Sequence, residues 1–504
     1  MIDFTPLMRK SMHDRLQEQL RYISHPDSVQ QEQLVKLIEK AALTEFGRHY
    51  DFSIVRTYRQ FASTVPLHSY EDLRPQIMRM VDGEESVLWP GKTRNFAQSS
   101  GTSGGKSKYI PITRDSFSMN HYRGSADVVA HYLNLNPKSR LMSGKGLILG
   151  GSFANALNLK KGVRVGDLSA NLIENINPIV NLFRTPSKRI ALMEDWNEKL
   201  PAIIRASVKE NVTNLSGVPS WFLGVLNGAL EFTGAKNIHE IWPNLEVFFH
   251  GGISFEPYRK QYEAICDMSR MHFLETYNAS EGFFATQSDW STNAMLLLLD
   301  VGVFYEFIPV EHCHEENPTA IPLWEIEPGK TYELIITSCN GLWRYRIGDT
   351  ILVESVNPVK IRIAGRTKSF INAFGEELMV HNADTAISVA CRETGAQVLN
   401  YTAAPVFSSS GEKAHHQWII EFASFPKDLT EFSQALDDAL KQTNSDYEAK
   451  RKGDIFLAPP QIVTAKSGLF DTWLAKTGKL GGQRKVPRLC NDRLIAEQLL
   501  LLNK

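Results

Sequence analysis

Charge of one sign is what this sequence has least of. Its 504 residues hold 55 Lys and Arg against 56 Asp and Glu, a formal net charge of −1 at pH 7. Bulk attraction to nucleic acid or to an anionic membrane is therefore not expected. Long hydrophobic runs are missing too, since nothing approaches the roughly 18 apolar residues of a spanning helix. The most apolar stretch, Met295 to Phe304, is broken by Asp300 and reads as a buried strand pair. The opening residues turn charged and helical without an apolar signal-peptide core. Cysteine is scarce: Cys266, Cys313, Cys339, Cys391 and Cys490 are an odd number, widely spaced, with no CxxC pair. That pattern argues against a disulfide framework or a zinc ribbon. A soluble, cytoplasmic protein is expected, with no nucleic-acid or membrane partner.

What is present is an ordinary globular mixture, 43% hydrophobic and 22% charged, long enough for about two to four domains. Leu16, Leu20, Leu34, Leu37 and Ile38 recur at helical spacing near the start. Between about 140 and 280 short apolar runs alternate with helical stretches. Strands are expected at Leu147–Leu149, Leu245–Phe249 and Met271–Tyr277, and helices after Pro219 and around Tyr258, Tyr262, Ile265 and Cys266. The alternation predicts an α/β fold, with a mostly parallel sheet flanked by helices and ligands at the strands' C-terminal ends. From 283 to about 365, runs at Val303–Ile308, Thr331–Thr337, Trp343–Val353 and Lys360–Ile363 predict an antiparallel, β-barrel-like subdomain. After Gly365 the pattern returns to mixed α and β. The expected division is an N-terminal domain over 1–366 and a smaller α+β domain over 367–504.

Three segments carry chemistry. Gln98 to Lys108 packs hydroxyls, glycines and lysines together, and such a loop turns backbone N–H groups, hydroxyls and cations toward a polyphosphate. A flexible linker would have the same composition, but this loop sits between apolar, ordered-looking residues. It is not a Walker A loop: Gly101 to Ser107 is one residue too short and leads into Tyr109-Ile-Pro-Ile112, an extended segment. Tyr277-Asn-Ala-Ser-Glu-Gly282 ends an expected strand and offers an aromatic face, a hydroxyl and a hard carboxylate. Tyr345-Arg-Ile-Gly-Asp349 puts an acid after a strand-ending glycine, suited to a ribose diol.

In this order, Ser99-Ser-Gly-Thr-Ser103, Tyr277–Gly282 and Tyr345–Asp349 resemble the nucleotide motifs of the auxin-conjugating, Gretchen Hagen type (GH3) acyl acid amido synthetases. These belong to the adenylate-forming superfamily. Tyr70-Glu71, Val87-Leu-Trp-Pro-Gly91, Gly365-Arg-Thr-Lys368 and Gly482-Gln-Arg-Lys-Val-Pro-Arg488 also look like family landmarks. The resemblance implies that Ser99, Ser100, Gly101, Thr102 and Ser103 hold the phosphates of ATP. It implies that Tyr277 stacks on adenine beside Asn278, that Ser280 approaches the α-phosphate, and that Glu281 helps bind Mg²⁺. Asp349, assisted by Arg366, would bind the ribose. Lys485 would be the catalytic lysine of a mobile C-terminal domain, hinged at Thr367-Lys368. Plant members carry an acidic residue where this chain has Lys106, so Lys108 is the better match to a family lysine. The chain is also shorter than typical plant members.

The acyl pocket is expected among Val218, Phe222, His250, Gly251 and Gly252, at strand ends on one side of the sheet. Trp221, Phe222 and Phe249 nearby point to an apolar or aryl acid. Glu311-His-Cys-His-Glu-Glu316 looks metal-like, but adjacent side chains do not converge on one tetrahedral ion, and a polar loop is expected instead. His415-His416, at a strand entry, is expected on the surface. The function implied is ATP-dependent activation of a small carboxylic acid as an acyl-adenylate, followed by transfer to an amino acid. No protein nucleophile is required, consistent with the lack of a G-x-S-x-G elbow. The alternatives are a thiol acceptor such as coenzyme A, or a nucleotide-binding regulator without activity. Oligomeric state is not legible.

Overall fold

Helices carry the chain from Thr5 to Val81, as the leucine spacing predicts. In Pro26–Ala41 the buried Val29, Leu34, Leu37, Ile38 and Ala41 fall on the helical period. Its proline sits in the first turn, where a missing N–H costs nothing. The computed structural model describes all residues except 1, 2, 100–107, 154, 156, 158, 253, 254, 256–258, 314, 367–369, 377, 408–412, 455 and 477–485. They fall into two compact units, one built mainly from Met1–Ser99, Lys108–Gly252 and Arg259–Thr367, the other mainly from Lys368–Lys504.

The first unit opens its β-structure with β1 (Asn95–Ser99) and β2 (Lys108–Ile112). Then come β3 (Lys145–Ile148), β4 (Arg164–Gly166), β5 (Arg184–Thr185) and β6 (Val212–Gly217). They are followed by β7 (Val247–Gly251), β8 (His272–Ala279), β9 (Gly282–Gln287) and β10 (Met295–Leu297). The last are β11 (Val303–Pro309), β12 (Ile321–Pro322), β13 (Thr331–Ser338), β14 (Leu342–Val356) and β15 (Val359–Arg366). A small sheet has the order β2-β1-β4. The large sheet runs β12-β11-β13-β14-β15-β10-β9-β8-β7-β6-β3-β5.

Its β5, β3, β6, β7 and β8 pair in parallel, the arrangement expected between 140 and 280. Parallel neighbours need crossovers, and the helices Trp196–Ser207, Pro219–Thr233 and Arg259–Ile265 lie between them in the chain. From β9 to β15 the pairings within the large sheet are antiparallel, again as expected. Two details differ. The β-rich segment is not a separate barrel, because β10 pairs with β15 on one side and β9 on the other and so continues the sheet. The Met295–Phe304 run supplies β10 and the start of β11, but these pair elsewhere and not with each other.

In the second unit β16 (Phe370–Ile371) pairs with β17 (Leu378–Met379). There β18 (Gln397–Val406) and β19 (His415–Ser424) form an antiparallel pair, and β20 (Gln461–Thr464) joins β19 in parallel. The helix Leu429–Thr443 falls where the sequence predicts it. His416 corrects an expectation: it is fully buried, 2.8 Å from the Glu376 carboxylate and stacked on Phe374. The reason is the two-residue period of a strand, which turns His415 outward and His416 inward.

Candidate active site

The parallel strands bring the expected acyl-pocket residues together by register. Gly217, at the end of β6, is opposite His250, and Gly251 is opposite Thr276 of β8. Thr276 Oγ1 donates to the His250 carbonyl at 3.0 Å. Gly251 has no room for a side chain, since a Cβ there would meet the Thr276 carbonyl oxygen at 2.5 Å. Val218 caps the helix Pro219–Thr233, and its Cγ2 would be 3.4 Å from a Cβ on Gly252. Phe222 is fully buried, its ring 5.0 Å from that of Phe248. Trp221 packs on Trp196, and Phe249 meets Tyr132 edge-on. His250 is buried, and burial pushes its pKa down to about 3, so the ring is neutral at physiological pH.

One hydrogen bond joins two of the sequence motifs. The Tyr277 hydroxyl donates to Asp349 Oδ2 at 2.7 Å, with both side chains buried. Tyr277 also packs edge-on against Phe284. Asp349 follows Gly348, whose φ of +88° is one that a side chain would strain. Across the ladder, Asp349 is the Cα partner of Arg366, the last residue of β15. Strand β14 is anchored by Arg344, paired with the buried Glu306 at 2.7 Å, and by Arg346, paired with the buried Glu333 at 2.6 Å. Trp343 Nε1 donates to the Leu88 carbonyl at 3.1 Å, so the Val87–Gly91 landmark braces the same strand.

Asn278 is the penultimate residue of β8, and Ser280 and Glu281 make the turn into β9. Glu281 is only 7% exposed, and its carbonyl accepts from Asn340 Nδ2 at 3.0 Å. On the other side of the turn, the Asn120 amide bonds to both main-chain groups of Phe283. Strands β1 and β2 pair through Ser99 and Lys108, the residues flanking 100–107. The Tyr109 N–H donates to the Tyr70 hydroxyl at 2.9 Å, and the Lys108 ammonium is 5.8 Å from the centre of the Tyr70 ring, a cation–π spacing. Ser100, Gly101, Thr102, Ser103 and Lys485 lie outside the described residues. A cavity of about 360 Å³ is lined by Phe153, Leu159, Val165 and Leu192, with Arg164 and Glu174 among its polar residues. None of the residues expected at the acyl pocket borders it.

Asn120 and Asn340 touch this region without any sequence signal, because an isolated Asn has no periodicity to mark it, whereas Tyr70 belongs to the Tyr70-Glu71 landmark. Among the described residues no group of three or more His, Cys, Asp or Glu is arranged to hold a metal. The metal-like segment at 311–316 contains an exposed His312–Glu315 pair and a buried Cys313.

Three family models match the chain in succession. The GH3 family N-terminal domain matches residues 15–271, the central domain 296–366 and the C-terminal domain 381–494. The chain belongs to the GH3 family. The resemblance carried by the three motifs is thus borne out. Among GH3 relatives, an indole-3-acetic acid-amido synthetase of Arabidopsis thaliana (GH3.4) is 23% identical over 92% of this chain and 89% of its own. A jasmonoyl--L-amino acid synthetase of Oryza sativa subsp. japonica (GH3.5) is 24% identical over 92% of each. Among solved structures, the chain is similar to AtGH3.15 acyl acid amido synthetase in complex with 2,4-DB. The TM-score is 0.62 at 19% identity, over 98% of this chain and 96% of that one. A 2-hydroxyisobutyryl-CoA ligase with 2-HIB-AMP and CoA gives a TM-score of 0.57 at 14% identity, over 95% and 94%. The fold is that of the adenylate-forming enzymes.

Proposed function

We propose that this GH3 protein is a ligase that activates a small carboxylic acid with ATP and transfers the acyl group to an amino acid. A carboxylate is a poor electrophile because oxide is a poor leaving group. Its oxygen attacks the α-phosphorus of ATP, the P–O bond to pyrophosphate breaks, and an acyl-adenylate forms. The amine then attacks the acyl carbon, loses a proton, and expels AMP. The observation that carries this reading is the Tyr277–Asp349 hydrogen bond, which unites two nucleotide motifs separated in sequence.

In this reading Asp349 accepts the ribose hydroxyls, Arg366 assists it, and the Tyr277 ring stacks on adenine. Ser280 and the 99–103 loop contact phosphates, and Lys108 and Lys485 offset the negative charge that grows there. Glu281 fits a Mg²⁺ ion, which takes one or two carboxylates and completes its shell with water and substrate phosphates. Bound there, the ion would neutralise phosphate charge during adenylation. Val218, Phe222, His250, Gly251 and Gly252 bound the acid on its apolar side, and the neighbouring aromatics favour an apolar or aryl acid. Residues 1–366 act as the nucleotide- and acid-binding domain and 367–504 as the C-terminal domain that carries Lys485. The five cysteines are free thiols, which suits a reducing, cytoplasmic setting. Among the described residues no helix is long and apolar enough to cross a membrane.

The test is product analysis. ATP, Mg²⁺ and a panel of carboxylic acids are supplied with amino acids in one arm and coenzyme A in the other. The expected products are an amide and AMP. A thioester alone would transfer the reading to the thiol acceptor, and ADP in place of AMP would refute adenylation.

A further inference from the structure

We infer that Asn120 is a positioning residue for the Ser280-Glu281-Gly282 turn, held in place by the π-helical segment that carries it. The inference rests on the reading of Glu281 as the magnesium ligand. Asn120 lies in the π-helix Ser116–His121. One extra residue per turn re-aims side chains relative to an α-helix, and such segments recur at functional sites. Here the re-aimed amide meets the main chain just past the turn. Asn120 Nδ2 donates to the Phe283 carbonyl at 3.1 Å and to the Val301 carbonyl at 3.0 Å. Its Oδ1 accepts from the Phe283 N–H at 2.7 Å. The side chain therefore satisfies both main-chain groups of the residue that follows Gly282, and it is only 2% exposed.

A second tie closes the arrangement. Thr113 Oγ1 accepts from the Ser116 N–H at 3.0 Å, starting the helical segment, and donates to the Cys339 carbonyl at 2.7 Å. The next residue, Asn340, donates to the Glu281 carbonyl. The turn is thus gripped before and after Gly282 by two asparagines, and Thr113 ties the π-helical segment that carries Asn120 to the residue before Asn340. Gly282 leaves no slack, because a Cβ there would sit 3.2 Å from Asn120 Oδ1 and 2.7 Å from the Phe284 ring. A carboxylate that binds a small, geometrically demanding cation must be held still, or the ordering cost falls on the ligand. Asn120 meets that need through the main chain of Phe283.

Gln30 provides the comparison. It is buried and makes the same three kinds of bond, to the Leu299 and Val303 carbonyls and from the Tyr305 N–H, none of them in the turn. ATP binding to the full-length chain is followed by calorimetry across a Mg²⁺ series for wild type, Asn120→Ala, Gln30→Ala and Glu281→Gln. Amide hydrogen exchange is read over 278–284 in parallel. Losing a buried amide's bonds should raise the Mg²⁺ required for half-maximal binding about 5- to 10-fold in Asn120→Ala. Exchange at Phe283 should accelerate, and the acid's KM should not move. Gln30→Ala should lower thermal stability and leave both readouts at wild-type values. If Asn120→Ala does not fold, Asn120→Ser is used with the same expectation. A shifted Mg²⁺ dependence in Glu281→Gln with an unshifted one in the Asn120 variant would overturn the inference alone. An unshifted dependence in Glu281→Gln would overturn the metal reading beneath it.

Discussion

Asp349 accepts a hydrogen bond from the Tyr277 hydroxyl, which fixes the orientation of the carboxylate that the proposed reading assigns to the ribose. Asp349→Ala should weaken ATP binding by about 1–3 kcal/mol, because hydrogen bonds to a charged acceptor are lost. Tyr277→Phe keeps the ring and removes only the donor, and should cost about 1 kcal/mol. Calorimetric titration checks both, and unchanged affinities would remove the pair from the nucleotide site. His250 makes a pH prediction. Its pKa is pushed down to about 3 by burial, while an unfolded histidine titrates near 6.5. The unfolded state therefore binds more protons between those values, and stability is full above about 6.5 and is lost as pH falls. The slope is at most about 1.4 kcal/mol per pH unit. Buried His121 and His131, each pushed down to about 4, add to the same trend. His250→Gln should flatten urea-midpoint curves below pH 6.5, and a curve parallel to wild type would contradict the buried-neutral assignment.

At the scale of elements, strand β14 is fastened by charge as much as by its ladder. Arg344 donates to Glu306 and to the Ala62 and Val65 carbonyls, with arginine and glutamate both buried. Arg344→Met should cost about 3–5 kcal/mol, because the Glu306 carboxylate is left buried without its partner. Thermal unfolding reports this, and a loss below about 1 kcal/mol would mean the pair is not what fastens the strand. The sequence made β14 legible as a strand, since apolar alternation is local, but the expectation that Gly348 ends it is corrected. The strand runs on to Val356, because β15 continues to pair with it beyond Asp349. The sequence did not make the fastening legible, because Glu306 and Glu333 lie on β11 and β13, brought alongside only by the sheet. The parallel strands from β3 to β8 were readable for the same local reason. The joining of the β-rich segment through β10 was not, because three-residue Met295–Leu297 has no pattern of its own and its partners are distant. The burial of His416 is not legible from its place at a strand entry, because its inward register on β19 decides it. Asn120 and Asn340 were invisible because their meaning lies in carbonyls far along the chain.

At the scale of the whole molecule, the order of motifs along 504 residues was the strongest signal, and the family models agree with it across the N-terminal, central and C-terminal stretches. In the proposed reading, Lys485 serves one half-reaction and not the other. Lys485→Ala should slow adenylation about 10²- to 10³-fold, the usual effect of removing one preorganised charge-stabilising donor. ATP affinity should hold, because Tyr277 and Asp349 are intact. Amide formation from supplied acyl-adenylate should be much less affected, and equal losses in both half-reactions would refute the assignment. Activation of a carboxylate on the α-phosphorus of ATP is reversible, and pyrophosphate exchange reports it. With labelled pyrophosphate, ATP and a panel of small carboxylic acids, label should enter ATP only when a suitable acid is present, and Asp349→Ala should suppress it. Label entering ATP without any acid, or no exchange across a panel that includes aryl and alkyl acids, would rule out acyl-adenylate formation.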